Sequence, residues 1–172
     1  MKRMVSIVLA VIMVLAMSGS AFAAAKVSSN NAAQKVALKN AKLSKSQVSK
    51  LRIKYDRDDG EYDVKFVRKS NGAKYDYEIR KSSGRILEKS IDYKYKRNTS
   101  KKKVGKAAAQ KAAAKAAGVK TSVVKKGKCK YEYDDGKGVY EVEFRNGKYK
   151  YDIEILAPTG KVIEYSWSYR GR

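Results

Sequence analysis

Tyr62-Asp63-Val64-Lys65-Phe66 and Tyr140-Glu141-Val142-Glu143-Phe144 repeat one pattern, an apolar or aromatic residue at every second position with a charge between. Side chains alternate across a strand, so this period predicts two strands, each with one buried and one solvated face. The rhythm continues on both sides of the first pentapeptide. Leu51, Ile53 and Tyr55 precede it, Tyr75, Tyr77 and Ile79 follow it, and residues 85–93 supply a fourth strand. Asp58-Asp59-Gly60, Ser70-Asn71-Gly72 and Ser82-Ser83-Gly84 separate the four runs, and such clusters favour tight turns.

Upstream the period lengthens. Ala33, Val36, Ala37 and Ala41 recur at helical spacing, with Lys35, Lys39 and Lys42 on the opposite face. The whole pattern returns 76 residues later. Ala33-Gln34-Lys35 recurs as Ala109-Gln110-Lys111, and Gly84-Arg85-Ile86-Leu87-Glu88 as Gly160-Lys161-Val162-Ile163-Glu164. In the second copy Ala109, Ala112, Ala113 and Ala117 predict the helix, with Lys111 and Lys115 outside and Gly118 as its stop. Between these anchors the register slips by two and is then restored, as an insertion in one turn and a deletion in the next would leave it. The expected fold is α+β, two tandem copies of one helix followed by a four-stranded antiparallel sheet, each helix covering the apolar face of its sheet.

The amino terminus predicts export. Lys2 and Arg3 precede the uncharged apolar residues 4–17, and Ala21-Phe22-Ala23 offers the small-x-small pattern of a cleaved secretory signal. Cleavage is expected after Ala23, with Ala25 as second choice. That divides the chain into a signal at 1–23, a first module at 24–97 and a second at 98–172, the boundary between copies falling at 96–100. The apolar run is shorter than the roughly 20 residues a spanning helix needs. No later segment is apolar enough to span, and no Cys follows the run to carry a lipid. The expected location is secreted or extracytoplasmic, associated with the cell envelope.

Composition narrows the chemistry. The net charge is +23, from 40 basic and 17 acidic residues, and loss of residues 1–23 removes only Lys2 and Arg3, leaving +21. Charge of this size attracts anionic surfaces without specifying a fold. Cys129 is the only cysteine, so no intramolecular disulfide can form, and the chain has no His, the commonest general base and metal ligand near neutral pH.

The opening Ala-Lys helix, the two pentapeptides quoted first, and Tyr75-Asp76-Tyr77-Glu78-Ile79 before a turn ending at Gly84 together resemble the PepSY family. The second copy carries the corresponding Tyr151-Asp152-Ile153-Glu154-Ile155 and Pro158-Thr159-Gly160-Lys161-Val162-Ile163. PepSY domains occur in propeptides of thermolysin-like metallopeptidases and in exported bacterial proteins, and are thought to restrain peptidases. The resemblance implies a binding or inhibitory module with no catalytic residues and no cofactor. No peptidase domain follows the second copy, so a peptidase target is expected to be bound in trans.

Several residue clusters invite other chemistry. Asp56, Asp58, Asp59 and Glu61 crowd carboxylates near Gly60, but the spacing fails the EF-hand pattern and a turn explains it better. Glu141, Glu143, Asp152 and Glu154 are read as outward residues paired across strands with Lys and Arg, not as a catalytic acid-base set. Cys129, equivalent to Ile53, is read as a small buried hydrophobe. The tyrosines alternate in the rhythm of core positions, which disfavours nucleic acid as the partner. Tyr165, Trp167 and Tyr169 form a row that suits core, an interface between modules, or partner contact. Lys101, Lys102, Lys103, Lys106, Lys111 and Lys115 are candidates for contact with an anionic polymer. The leading expectation is an exported, non-enzymatic binding module that restrains a secreted peptidase or binds another envelope protein. The alternative is a surface protein held by its charge on an anionic envelope polymer.

Overall fold

The computed structural model describes residues 26–95, 100, 102–134 and 137–171. The predicted signal, its cleavage site at Ala23, and most of the boundary at 96–100 lie outside the described residues. The elements are α1 (Asn30–Ala41), β1 (Val48–Asp56), β2 (Glu61–Arg68), β3 (Lys74–Arg80), β4 (Ile86–Asp92), α2 (Lys106–Ala117), α3 (Thr121–Lys125), β5 (Lys128–Asp134), β6 (Lys137–Asn146), β7 (Tyr149–Leu156) and β8 (Lys161–Tyr169). A 3-10 turn at Lys45–Gln47 stands where the second copy has α3.

Local chemistry sets the helix ends. The Ser29 hydroxyl accepts the Ala32 N–H at 3.3 Å and caps α1, whose first amides would otherwise lack partners. Both long helices close on a left-handed residue at the same repeat position, Lys42 in the first copy (φ 55°) and Gly118 in the second (φ 67°). Glycine takes this conformation without strain, so the second copy has the better stop.

The expected pair of separate four-stranded sheets is corrected by the structure. Among the described residues, eight strands form a single antiparallel sheet in the order β1-β2-β3-β4-β8-β7-β6-β5, with three helices. The last strand of each copy joins the other, through Glu88↔Ser168, Lys89↔Trp167, Ser90↔Ser166, Ile91↔Tyr165 and Asp92↔Glu164. Ser90 and Ser166 are 76 residues apart and face each other. Asp92 pairs with Glu164, while their repeat equivalents Ser168 and Glu88 pair in exchange. The seam therefore obeys the rule of a self-complementary two-fold contact, within one chain. A free edge strand presents a row of unpaired N–H and C=O groups. Joining β4 to β8 satisfies one such row from each copy and leaves β1 and β5 as the outer edges.

A two-fold axis between antiparallel strands runs normal to the sheet, so it keeps both helices on one side. One continuous core confirms this, running from Ala33, Ala37 and Leu38 of α1 through Val64, Tyr77, Ile91, Tyr165 and Ile153 to Ala109, Ala113 and Ala117 of α2. Phe66 stacks on Tyr75 at 5.0 Å and Phe144 on Tyr151 at 4.8 Å, equivalent pairs between the last residue of each pentapeptide and the next strand. The last strand of each copy also carries a bulge, at Leu87 and at its equivalent Ile163, where the pairing shifts between Glu78 and Ile79 and between Glu154 and Ile155. Ile163 then packs with Val139 and Leu156 in a small apolar cluster apart from the main core.

Candidate functional site

With both helices on one side, the other side of the sheet faces solvent, and strand register determines which charges meet there. One row reads Lys74, Asp92, Glu164, Glu154, Glu141 and Lys130, so four carboxylates on four adjacent strands are direct neighbours. A second row sets Asp152 opposite Glu143, and a third sets Glu78 between Asp63 and Glu88. Of the cross-strand Lys and Arg partners expected for Glu141, Glu143, Asp152 and Glu154, β5 sets Lys130 opposite Glu141 and Lys128 opposite Glu143, whereas Asp152 and Glu154 have no Lys or Arg directly opposite. Lysines reach in from the flanks: Lys137 to Glu154 at 2.9 Å, and Lys150 to Asp152 at 3.1 Å and Glu143 at 3.4 Å.

Like charges directly opposite in a sheet oppose ionisation of one another. Burial, then Glu132 and Glu154, raise the Glu141 carboxyl above its ordinary range, and burial, then Glu154 and Asp92, raise Glu164. Glu141, Glu143, Asp152, Glu154 and Glu164 rim a shallow depression of about 190 Å³ floored by Val142 and Ile153. Among the described residues no group of His, Cys, Asp or Glu has the geometry of a metal site. The Asp56–Glu61 cluster is a turn, in which the Asp58 N–H donates to Asp56 Oδ1 at 3.1 Å.

The helix side carries the opposite charge. Residues 24–55 and 93–131, which hold α1, α2 and α3 and most of the edge strands β1 and β5, contain no Asp or Glu. Lys35 and Lys42 at α1, Lys111 and Lys115 on α2, and Lys120 and Lys125 at α3 are all exposed. Of the lysines singled out from sequence, Lys102, Lys103, Lys106, Lys111 and Lys115 are exposed, while Lys101 lies outside the described residues. Lys103 places its ammonium 3.5 Å from the centre of the Tyr131 ring.

The aromatic row does not act as a unit. Tyr165 belongs to the core, its hydroxyl held neutral by burial, and Ile91 faces it across the seam. Trp167 and Tyr169 are half-buried on the helix side, Trp167 edge-on to Tyr149 at 5.2 Å and Tyr169 beneath the Arg85 guanidinium at 4.7 Å. Cys129 is half-buried against the core, and burial raises its thiol, which opposes thiolate reactivity.

Sequence reasoning missed Lys89. It points to the helix side from β4, at the repeat position of Tyr165, and pairs with Trp167. Its ammonium donates to Asn40 Oδ1 of α1 at 3.0 Å, the same oxygen that the Tyr77 hydroxyl meets at 3.2 Å. Burial pushes the Lys89 amine down to about 8. A lysine in the place of a core aromatic was the available signal, readable only once the repeat was aligned residue by residue.

The fold and its surfaces define a class: a helix-on-sheet repeat protein whose accessible features are two oppositely charged faces and two strand edges. Residues 103–165 match the PepSY family, described as peptidase propeptide and YPEB domain. The first copy lies outside the matched stretch and is tied to it by the two-fold seam. Two solved structures are similar to the chain. One is a candidate lipoprotein from Clostridium difficile 630, 18% identical, over 84% of this chain and 95% of that one, with a TM-score of 0.32. The other is a DUF2874 family protein from Bacteroides uniformis ATCC 8492, 16% identical, over 77% of this chain and 85% of that one, with a TM-score of 0.29. No curated protein matches the chain significantly. Among the described residues no helix is long and apolar enough to cross a membrane.

Proposed function

We propose that the mature chain, from about residue 24, is an exported, non-enzymatic binding protein that restrains a secreted peptidase in trans. The match of residues 103–165 to a domain described by its place in peptidase propeptides carries this reading. The duplicated architecture supports it, because two modules fused along one seam offer a partner two edges and a broad sheet face. Trp167 and Tyr169, partly exposed beside β4, remain proposed contacts, whereas Tyr165 is enclosed in the core.

The test adds purified mature protein to the peptidases exported by the native host and follows residual proteolysis at low and raised salt. Dose-dependent inhibition that survives raised salt is expected, since a shape-matched interface with an apolar centre does not rest on screened charge. Unchanged proteolysis across the full range of added protein would remove the peptidase reading.

A second reading concerns retention. The acid-free helix segments place a cationic layer on one side, which favours an anionic component of the envelope as a second partner.

A further inference from the structure

The charge is not merely large; it is sorted by the fold. Every described carboxylate that takes part in the strand rows faces away from the helices, and α1, α2 and α3 carry none. A small or flexible polyanion would sense only the nearest lysines. A planar anionic surface senses both faces, because it attracts one side and repels the other over a Debye length of about 8 Å.

The two-fold seam adds the geometry. Its axis runs normal to the sheet, so the outward faces of α1 and α2 lie at the same height above it, and Lys35 and its repeat equivalent Lys111 occupy matching positions. Two coplanar cationic helices suit a flat partner. Among the described residues the exposed large apolar side chains are Tyr95 and Tyr133, and neither belongs to a helix. Contact through this side is therefore electrostatic and without insertion.

We infer that the helix side docks on the headgroup layer of an anionic lipid bilayer, holding the acidic sheet face outward. This rests on the retention reading above and names its partner. In that pose the Glu141–Glu164 depression and the sheet face stay open to a third molecule.

The experiment compares two variants with the same net charge, both built in the mature chain and checked by circular dichroism. One replaces Lys35, Lys42, Lys111 and Lys115 with Gln, on the helix side. The other replaces Lys54, Lys65, Lys74 and Lys130 with Gln, on the sheet side. Co-sedimentation is measured with phosphatidylglycerol-containing vesicles, with phosphatidylcholine vesicles, and in competition with soluble polyphosphate. The wild type should bind only the anionic vesicles and be released by salt. A basic residue near such a surface is worth roughly fivefold in partitioning, so the helix-side variant should lose on the order of 100-fold or more, and the sheet-side variant less than about threefold. Equal losses in the two variants would show that net charge alone acts and overturn the inference. Binding to polyphosphate without binding to vesicles would overturn it while sparing the retention reading, and binding to neither would remove both.

Discussion

At the level of single residues, position in the repeat separates roles that residue type alone does not. Lys89 and Tyr165 are equivalent, yet one is a lysine beneath α1 and the other a tyrosine in the core. The groups facing Lys89 are Asn40 from α1, Tyr77 from β3 and Trp167 from β8, and none of them is a carboxylate. Its amine is therefore held at about 8, below the ordinary lysine value that it regains on unfolding. A depressed folded value means that the unfolded chain binds more protons above pH 8, so Lys89 makes stability rise as pH climbs from 8 towards 10.5. Lys89→Met should remove that rise, leaving a flatter slope than the wild type in urea titrations between pH 7 and 9.5. Parallel slopes for the two proteins would place the Lys89 ammonium in water.

At the level of elements, alternation located strands well and turns well, because both are written in neighbouring residues. Edge strand β5 needs more than alternation. It follows Gly127, where an added Cβ would lie 2.1 Å from the Glu143 carbonyl oxygen and 2.7 Å from Phe144 Cβ. Backbone oxygen cannot yield as a flexible side-chain end can. Gly127→Ala should cost on the order of 2–3 kcal/mol, the range of overpacking at a rigid site. Amide exchange should accelerate first along β5, at Cys129 to Tyr133. Gly138→Ala is the comparison, since its Cβ meets the Tyr131 hydroxyl at 2.8 Å, the far end of a side chain that can swing away. Equal losses at the two sites would contradict the close approach of β5 to β6.

At the level of the whole molecule, the seam between β4 and β8 makes one sheet of two repeats. Its strength is testable without taking the chain apart beforehand. A protease site introduced at 96–99 and cut after folding should leave the two halves co-eluting, held by the seam and by Ile91 against Tyr165. The same cut in Ile91→Asp, which sets an unpaired carboxylate in that core, should release them. Separation of the nicked wild type would refute a stable seam. The charge partition belongs to this scale too: only a single sheet with both helices on one side turns an overall +23 into a cationic face and an acidic one.

By itself the sequence determined the strand positions, the buried face of each strand, the helix faces and the duplication, because these follow from spacing along the chain and from turn chemistry within a few residues. The resemblance read from Tyr140–Phe144 agreed with the PepSY match at 103–165, which does not reach Tyr62–Phe66. Tertiary structure alone decided that β4 meets β8, that Glu164 lies between Asp92 and Glu154, that Tyr165 is enclosed and that Lys89 reaches Asn40. Hydrophobic period assigns each side chain to a face but leaves open which strand lies alongside. That choice is made by edge hydrogen bonds and packing between residues far apart in the chain.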